Sequence, residues 1–234
     1  MDRNGLIENL QKHNISFNDE KIDKLVLLMK NTLIANQKFN LTAIKEENEF
    51  FEKMIFDSAL PLSFISLKDK KCIDVGTGAG FPGLVLATLE DKGSFTLLDS
   101  TSKKIEHIKE FAIRNDLTNV TAVSDRAESY SRKHQQVYDF AFARAVASLN
   151  VLLEIISPLL KINGCFIALK GPGINEEIEK SKNALNVLNL KIEEIHNFVL
   201  PESKEERNIV VIRKVKATPN KYPREYAAIK KRPL

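Results

Sequence analysis

Thirteen residues, Lys71 to Gly83 (KCIDVGTGAGFPG), constrain this chain more than any other stretch. Cys72, Ile73 and Val75 read as a short buried strand, with Asp74 near its end. Gly76, Gly78 and Gly80 then arrive at alternate positions. Phe81 to Ala87 reads as the start of an apolar helix, with Pro82 where a first-turn proline is tolerated. Glycine is needed where φ turns positive or where a ligand lies against the backbone. A strand, a glycine turn and a helix in this order form the edge at which open α/β sheets bind nucleotide-like ligands.

Two cofactor classes use this layout. A dinucleotide fold calls for G-x-G-x-x-G, with the pyrophosphate at the helix N-terminus. Here the spacing is G-x-G-x-G, followed by the bulky Phe81, and Asp74 lies two positions before the first glycine. A carboxylate there suits a ligand with an ammonium group better than one with a pyrophosphate. S-adenosylmethionine carries an α-amino group, a sulfonium and an adenosine. The competing reading is a tight turn with no ligand; three alternate glycines and the acid weigh against it.

The rest of the chain supports a sheet of this kind. Residues 19 to 36 and about 46 to 59 carry helix periodicity, so the first sixty-odd residues are expected to form a helical cap. From Lys71 strands and helices alternate. Strands are expected at 71–76, 94–98, 119–123, 138–146, 165–169, 191–199 and 208–214, and helices at 82–90, 102–115, 149–160 and 174–189. Ile105, Ile108, Phe111 and Ala112 form the inward face of the second of these helices. Alternation of this length predicts a parallel sheet covered on both faces. The last two strands have no helix between them, so strand seven is expected to return antiparallel, as in a class I S-adenosylmethionine-dependent methyltransferase with a Rossmann-like seven-stranded sheet. The expected units are a cap at 1–66, the sheet domain at 67–216 and a basic, loosely ordered tail at 217–234.

At 234 residues the chain is long enough for one large domain, or one with an extension. No apolar run approaches the ~18–20 residues of a membrane span. The charged N-terminus lacks a signal-peptide core. Cys72 and Cys165 fall in expected core strands, which points to reduced thiols and a cytoplasmic protein. Two cysteines and four histidines show no metal-ligand spacing, so no metal is expected. The formal charge of +4 is uneven: Arg207 to Leu234 holds nine Lys or Arg and one acid, a net of +8, which leaves −4 for the rest. A basic end on a slightly acidic body suggests a nucleic-acid partner, unless the tail is merely solvated.

Several residues at strand ends can carry chemistry. Asp99, 23 residues after Gly76, is placed to accept both ribose hydroxyls of an adenosine or to cap the helix beginning near Ser102. Asp125-Arg126-Ala127-Glu128 reads as a turn whose backbone can meet an adenine edge. Arg144, inside an apolar strand, is expected to face cofactor or substrate, or else to pair with Asp125 or Glu128. Lys170 stands at the pocket rim, to meet phosphate or to snorkel. Arg207 opens the last strand, where phosphate contact and solvation are both open. No Ser-His-Asp, Cys-His or paired-carboxylate arrangement is visible. That favours a reaction needing no strong base, such as methylation of a guanine N7, whose lone pair lies in the ring plane.

The segments KFNLTAI (38–44), FDSALP (56–61), DVGTGAGFPG (74–83), LLDSTSKKIEHIKE (97–110), DRAE (125–128), ARAV (143–146), ALKG (168–171), ERNIVVIRK (206–214) and YPR (222–224) together resemble the bacterial RsmG family, also called glucose-inhibited division protein B. The resemblance runs from about residue 36 to 224. It implies S-adenosylmethionine as cofactor and N7 of one guanine in 16S ribosomal RNA of the small subunit as target; separately, a monomer is expected. It also implies that Gly76, Gly78 and Phe81 line the cofactor site, that Ala127 and Glu128 contact adenosine, and that Arg144 closes the pocket. Asn40, Asp57, Lys170, Arg207 and Arg224 would be substrate-side or structural, with Arg144 and Lys170 as positioning residues. The chain departs from the family pattern at Met54-Ile55, where relatives commonly carry a His, and in its ending, PREYAAIKKRP. Two other readings stand beside this one: an RNA-binding assembly factor without catalysis, and an NAD-linked dehydrogenase.

Overall fold

The structure, a computed structural model, describes residues 1–38, 40–144 and 146–234; Phe39 and Ala145 of the quoted segments, Ala145 also within the expected fourth strand, fall outside them. The strands are β1 (Lys71–Val75), β2 (Ser94–Asp99), β3 (Val120–Ser124), β4 (Tyr138–Arg144), β5 (Leu160–Lys170), β6 (Leu190–Val199) and β7 (Glu206–Lys214). They form one sheet in the order β3-β2-β1-β4-β5-β7-β6. The first five are parallel, and β7 runs antiparallel to both β5 and β6. This is the expected seven-stranded methyltransferase sheet.

Register decides which residues share the carboxyl edge. Val75 pairs with Leu98, Asp74 with Phe142, and Arg144 with Leu169. The ends of β1, β2, β4 and β5 therefore lie side by side. Because β7 is antiparallel, it brings its first residues to the same edge: Asn208 pairs with Lys170. Arg207 thus reaches the site from the far end of the chain.

Helices α5 (Gly83–Leu89) and α6 (Ser102–Arg114) follow β1 and β2. The inward face of α6 is Ile105, Ile108, Phe111 and Ala112, as its periodicity predicts. The Asp125–Glu128 stretch is not only a turn, because Ala127–Lys133 continues as helix α7. Helix α8 (Leu149–Ile156) is shorter than expected, since Pro158 offers no N–H to a further turn. Residues 161–164, expected as the break before β5, belong to it as an irregular stretch between the Tyr138–Leu160 and Phe140–Cys165 pairs. Helix α9 (Ile174–Val187) leads to β6.

The N-terminal residues form α1 (Arg3–Lys12) and α2 (Asp19–Asn36). Asp2 accepts a hydrogen bond from Gly5 N at 2.8 Å and Asn18 from Lys21 N at 2.9 Å, each capping its helix. The expected second helix is a composite: α3 (Glu47–Phe50), a π-helical stretch Phe51–Phe56, α4 (Asp57–Ala59) and a 3-10 turn Leu60–Ser63. Its apolar residues, including Phe50, Ile55 and Phe56, share one core with α2, α5 and α6; a second core lies on the other sheet face under α8 and α9. The tail is not loosely ordered. Tyr222 is buried, and α10 (Tyr226–Lys231) seats Ile229 fully in the second core. No helix among the described residues is long and apolar enough to cross a membrane.

Candidate active site

A cavity of about 1100 Å³ runs along the carboxyl edge of the sheet. Its floor is the turn after β1. Gly76 (φ +73°) and Gly78 (φ +60°) adopt left-handed backbone. A Cβ on Gly76 would come within 2.7 Å of Val146, whereas one on Gly78 would meet no atom within 4 Å. The first glycine is forced by close packing and the second leaves open space over the backbone.

Two acids brace this turn. Asp74 lies beneath it, buried, with Oδ2 accepting from Thr77 Oγ1 at 2.6 Å and Gly83 N at 2.9 Å. Its Oδ1 is buried and has no partner among the described residues. Burial raises the Asp74 carboxyl from the ordinary 3.8 to about 6, against the pull of those two hydrogen bonds. Asp99, at the end of β2, accepts from Gly78 N at 3.0 Å through Oδ2 and from Thr101 N at 2.8 Å through Oδ1. It lines the cavity and steadies Thr101, the residue before α6, but it does not cap the helix, whose N-cap Thr101 has no side-chain capping bond. Ala127 and Glu128 line the cavity from the start of α7.

Phe81 is buried at the next wall, edge-on to Phe50 at 5.5 Å between ring centres. The Arg144 guanidinium stands over the Phe81 ring at 5.7 Å. Arg144 donates to Lys53 O at 2.8 Å and contacts Met54 Sδ at 3.1 Å. Its carboxylate neighbour is Asp57 at 3.6 Å, not Asp125 or Glu128. The cap supplies that acid, and nothing local to β4 announces it. Met54, noted only as a departure in the sequence, is therefore a cavity wall and an arginine contact.

Asp57 also accepts from Arg207 Nε at 3.1 Å, and Arg207 pairs with Glu205 at 2.8 Å. Lys53 joins Glu205 at 2.6 Å and Glu49 at 3.0 Å. Burial pushes the Asp57 carboxyl up, opposed by the attraction of Arg144 and Arg207. Arg207 lines the cavity but is not a solvated cation, since its donors are taken by protein acceptors.

Of the residues expected to be substrate-side or structural, Lys170 and Arg224 have structural partners and Asn40 stands off the cavity wall. Lys170 is at the cavity wall, yet its Nζ donates to Ala147 O and Glu177 Oε2, each at 2.8 Å, so it neither snorkels nor presents a free charge. Arg224 does not line the cavity. Its backbone and side chain donate to the fully buried Glu154 at 2.6 to 2.9 Å, which fastens the tail to α8. Asn40 is exposed and lies off the lining; its neighbours Leu41 and Ile44 are on it, in a loop held by Asn36 through Leu41 N at 2.8 Å and Thr42 N at 3.0 Å. Sequence reasoning missed Lys104, Lys180 and Tyr226, which all line the cavity. Lys104 and Tyr226 sat in quoted segments without being singled out, and Tyr226 carries no periodic signal.

Comparison with known proteins agrees with this geometry. A family model described as GidB, rRNA small subunit methyltransferase G, matches residues 21–210. A relative named ribosomal RNA small subunit methyltransferase G from Acetivibrio thermocellus is 42% identical over 99% of this chain and 96% of its own length. One of the same name from Fusobacterium nucleatum is 40% identical over 97% of each. Among solved structures, the chain is similar to a 16S rRNA (adenine(1408)-N(1))-methyltransferase from Catenulisporales acidiphilia, with TM-score 0.54 and 14% identity over 68% of this chain and 89% of that one. It is also similar to a SAM-dependent methyltransferase from Aquifex aeolicus, with TM-score 0.53 and 18% identity over 76% and 97%. At such identities the structures speak for the fold alone.

Proposed function

The chain belongs to the GidB family, the rRNA small subunit methyltransferases G, and on that premise we propose that it methylates N7 of one guanine in 16S rRNA with S-adenosylmethionine as methyl donor. The observation that carries this reading is the glycine turn whose Gly78 backbone faces open cavity beside Asp99. The residues present fit the cofactor. Asp74 Oδ1, buried without a partner, supplies negative charge beneath the turn for an ammonium-bearing ligand. Asp99 stands where a carboxylate meets ribose hydroxyls, and Ala127 and Glu128 where an adenine ring ends. The bound cofactor supplies an electrophilic methyl group on a sulfonium.

The chain's own part is then positioning. Guanine N7 already presents a lone pair, so no residue has to remove a proton before attack. The cavity matches that need: Asp57 and Glu177, the acids paired with Arg144 and Lys170, are tied to cations. Phe81, Met54 and Val146 give apolar walls that exclude water, and Arg144 brings a fixed positive charge to the guanine side. Holding two reactants in line is worth roughly 7–11 kcal/mol of barrier.

The test is to add the purified protein and labelled cofactor to 16S rRNA from cells lacking it and to map the methyl group. Label at a guanine N7 is expected; label elsewhere, or none on RNA or on the assembled subunit, overturns the reading. Asp99→Ala should weaken S-adenosylhomocysteine binding, and Arg144→Ala should slow transfer, without unfolding the chain. Unchanged values in both would remove the site assignment.

A further inference from the structure

The C-terminal helix lies beyond residue 210, where the family model stops, and it carries a run of charge that the fold leaves uncommitted. Of the nine basic residues from Arg207 onward, four are engaged. Arg207 pairs with Asp57, Arg213 with Glu193, and Arg224 with Glu154, and Lys214 is buried with Nζ donating to Ser157 O and Leu160 O. Lys216, Lys221, Lys230, Lys231 and Arg232 are exposed and form no ion pair among the described residues; Lys221 lies over the Tyr222 ring. Three of these five are consecutive at the end of α10.

The helix that carries them is firmly held. Ile229 is fully buried, Arg224 fastens the preceding turn to Glu154, and Glu225 pairs with Arg132 of α7 at 2.6 Å. That pairing gives Glu225 a partner other than the three cations. On the cavity side α10 presents Tyr226, which lines the cavity together with Lys180 of α9. Lys230 follows Tyr226 by four residues and shares its face of the helix. An aromatic ring at a cavity mouth, with cations one turn away, is the pairing that proteins use on single-stranded nucleic acid: the ring stacks a base and the cations follow the phosphates.

Resting on the RNA substrate assigned above, we propose that α10 is an RNA-docking rim of the active-site cavity. Tyr226 stacks against a nucleotide flanking the target, and Lys230, Lys231 and Arg232 hold the backbone leading to it. The tail's basic charge is divided by the fold into a structural part, at Arg207 to Lys214 and Arg224, and an RNA-facing part on α10.

The test uses the full chain and a labelled 16S rRNA fragment, with binding followed by anisotropy from 50 to 300 mM salt, roughly the range over which phosphate contacts are read. The triple variant Lys230→Gln, Lys231→Gln, Arg232→Gln is compared with a control, Lys68→Gln, Lys70→Gln, Lys92→Gln, which removes equal charge at the opposite edge of the sheet. Each phosphate contact on single strands adds about 0.7 to the salt slope, so the first triple should flatten it by about 2 while the control leaves it steep. Tyr226→Ala should weaken binding about 5-fold or more with the slope kept. Melting temperature and S-adenosylhomocysteine affinity should hold in both triple variants, and the KM for RNA should rise with kcat kept in the Lys230-Lys231-Arg232 triple but not in the control. Equal slopes in the two triples, or wild-type binding in both α10 variants, would overturn the proposal. A wild-type chain that binds RNA but transfers no methyl group would sink the assigned reaction and leave the slopes to decide the rim.

Discussion

Asp57 and Arg207 are 150 residues apart in sequence, and Arg207 Nε donates to Asp57 Oδ2 at 3.1 Å. The same carboxylate stands 3.6 Å from Arg144. One buried acid of the helical cap thus holds two arginines at the cavity edge, one from the end of β4 and one from the start of β7.

Asp57→Ala should therefore be costly. It leaves two guanidiniums facing each other without the intervening charge, and Arg144 loses part of what keeps it over Phe81. Breaking a buried pair from one side costs about 3–5 kcal/mol, so urea denaturation should show a loss of that order and methyl transfer should fall with it. A loss below about 1 kcal/mol, the range of surface pairs, would mean that water reaches the cluster.

Asp74 gives a pH dependence of defined sign. Its folded carboxyl sits at about 6 against the ordinary 3.8, so the folded state holds the proton more tightly than the unfolded one. The stability this contributes is complete below about pH 4 and is lost as pH rises through 6, by roughly 3 kcal/mol in all. Asp139, Glu193 and Glu205 are shifted downward and act in the opposite direction, so the quantity to measure is the difference between wild type and Asp74→Asn across pH 4 to 7, about the window of the shift. A difference that stays flat would show that Asp74 is ionised throughout. Asp74 gains its charge beneath the turn over the same window, so affinity for S-adenosylhomocysteine, which carries an ammonium group, should rise with pH across it.

Two glycine substitutions should separate packing from binding. On Gly83 a Cβ would stand 2.8 Å from Leu97 Cγ and 2.9 Å from Asp74 Oδ2, so Gly83→Ala should destabilise the fold by about 1–3 kcal/mol through overpacking. On Gly78 a Cβ would meet nothing within 4 Å but would carry the strain of φ +60° and project toward the cavity. Gly78→Ala should cost only about 1–2 kcal/mol of stability and a disproportionate loss of S-adenosylhomocysteine affinity. Thermal denaturation alongside calorimetric titration distinguishes the two.

Arg224→Ala should behave as a stability variant. It strands the fully buried Glu154 at a cost of about 3 kcal/mol or more and loosens α10. Arg224→Lys should recover only part of this, because one ammonium cannot reproduce the two-pronged contact with both carboxylate oxygens. RNA binding that fell with the fold fully intact would place Arg224 at the substrate instead.

Local chemistry was readable wherever one element contains its own explanation. The β1–glycine turn–α5 unit is continuous in sequence, and so are the inward face of α6 and the position of Asp99 at the end of β2. Other features were hidden because their cause lies elsewhere in the chain. Helix α7 carries few apolar residues over its seven positions and reads as a charged turn; it forms with Tyr130 and Ser131 buried. The ending from Thr218 looks loose by composition, yet it is ordered by Glu154, an acid in the middle of an apolar helix whose partner sits 70 residues on.

From the sequence alone came the α/β alternation, the turn built for a ligand and the family resemblance, because periodicity, glycine spacing and motif order are properties of neighbouring residues. Only the tertiary structure decided which cations are free. Charge can be counted along a chain, but ion pairing depends on which distant acids the sheet register and the cap bring within reach. Arg144, Lys170, Arg207 and Arg224 were all drawn into protein contacts by the tertiary fold, while the cations of α10 stayed exposed.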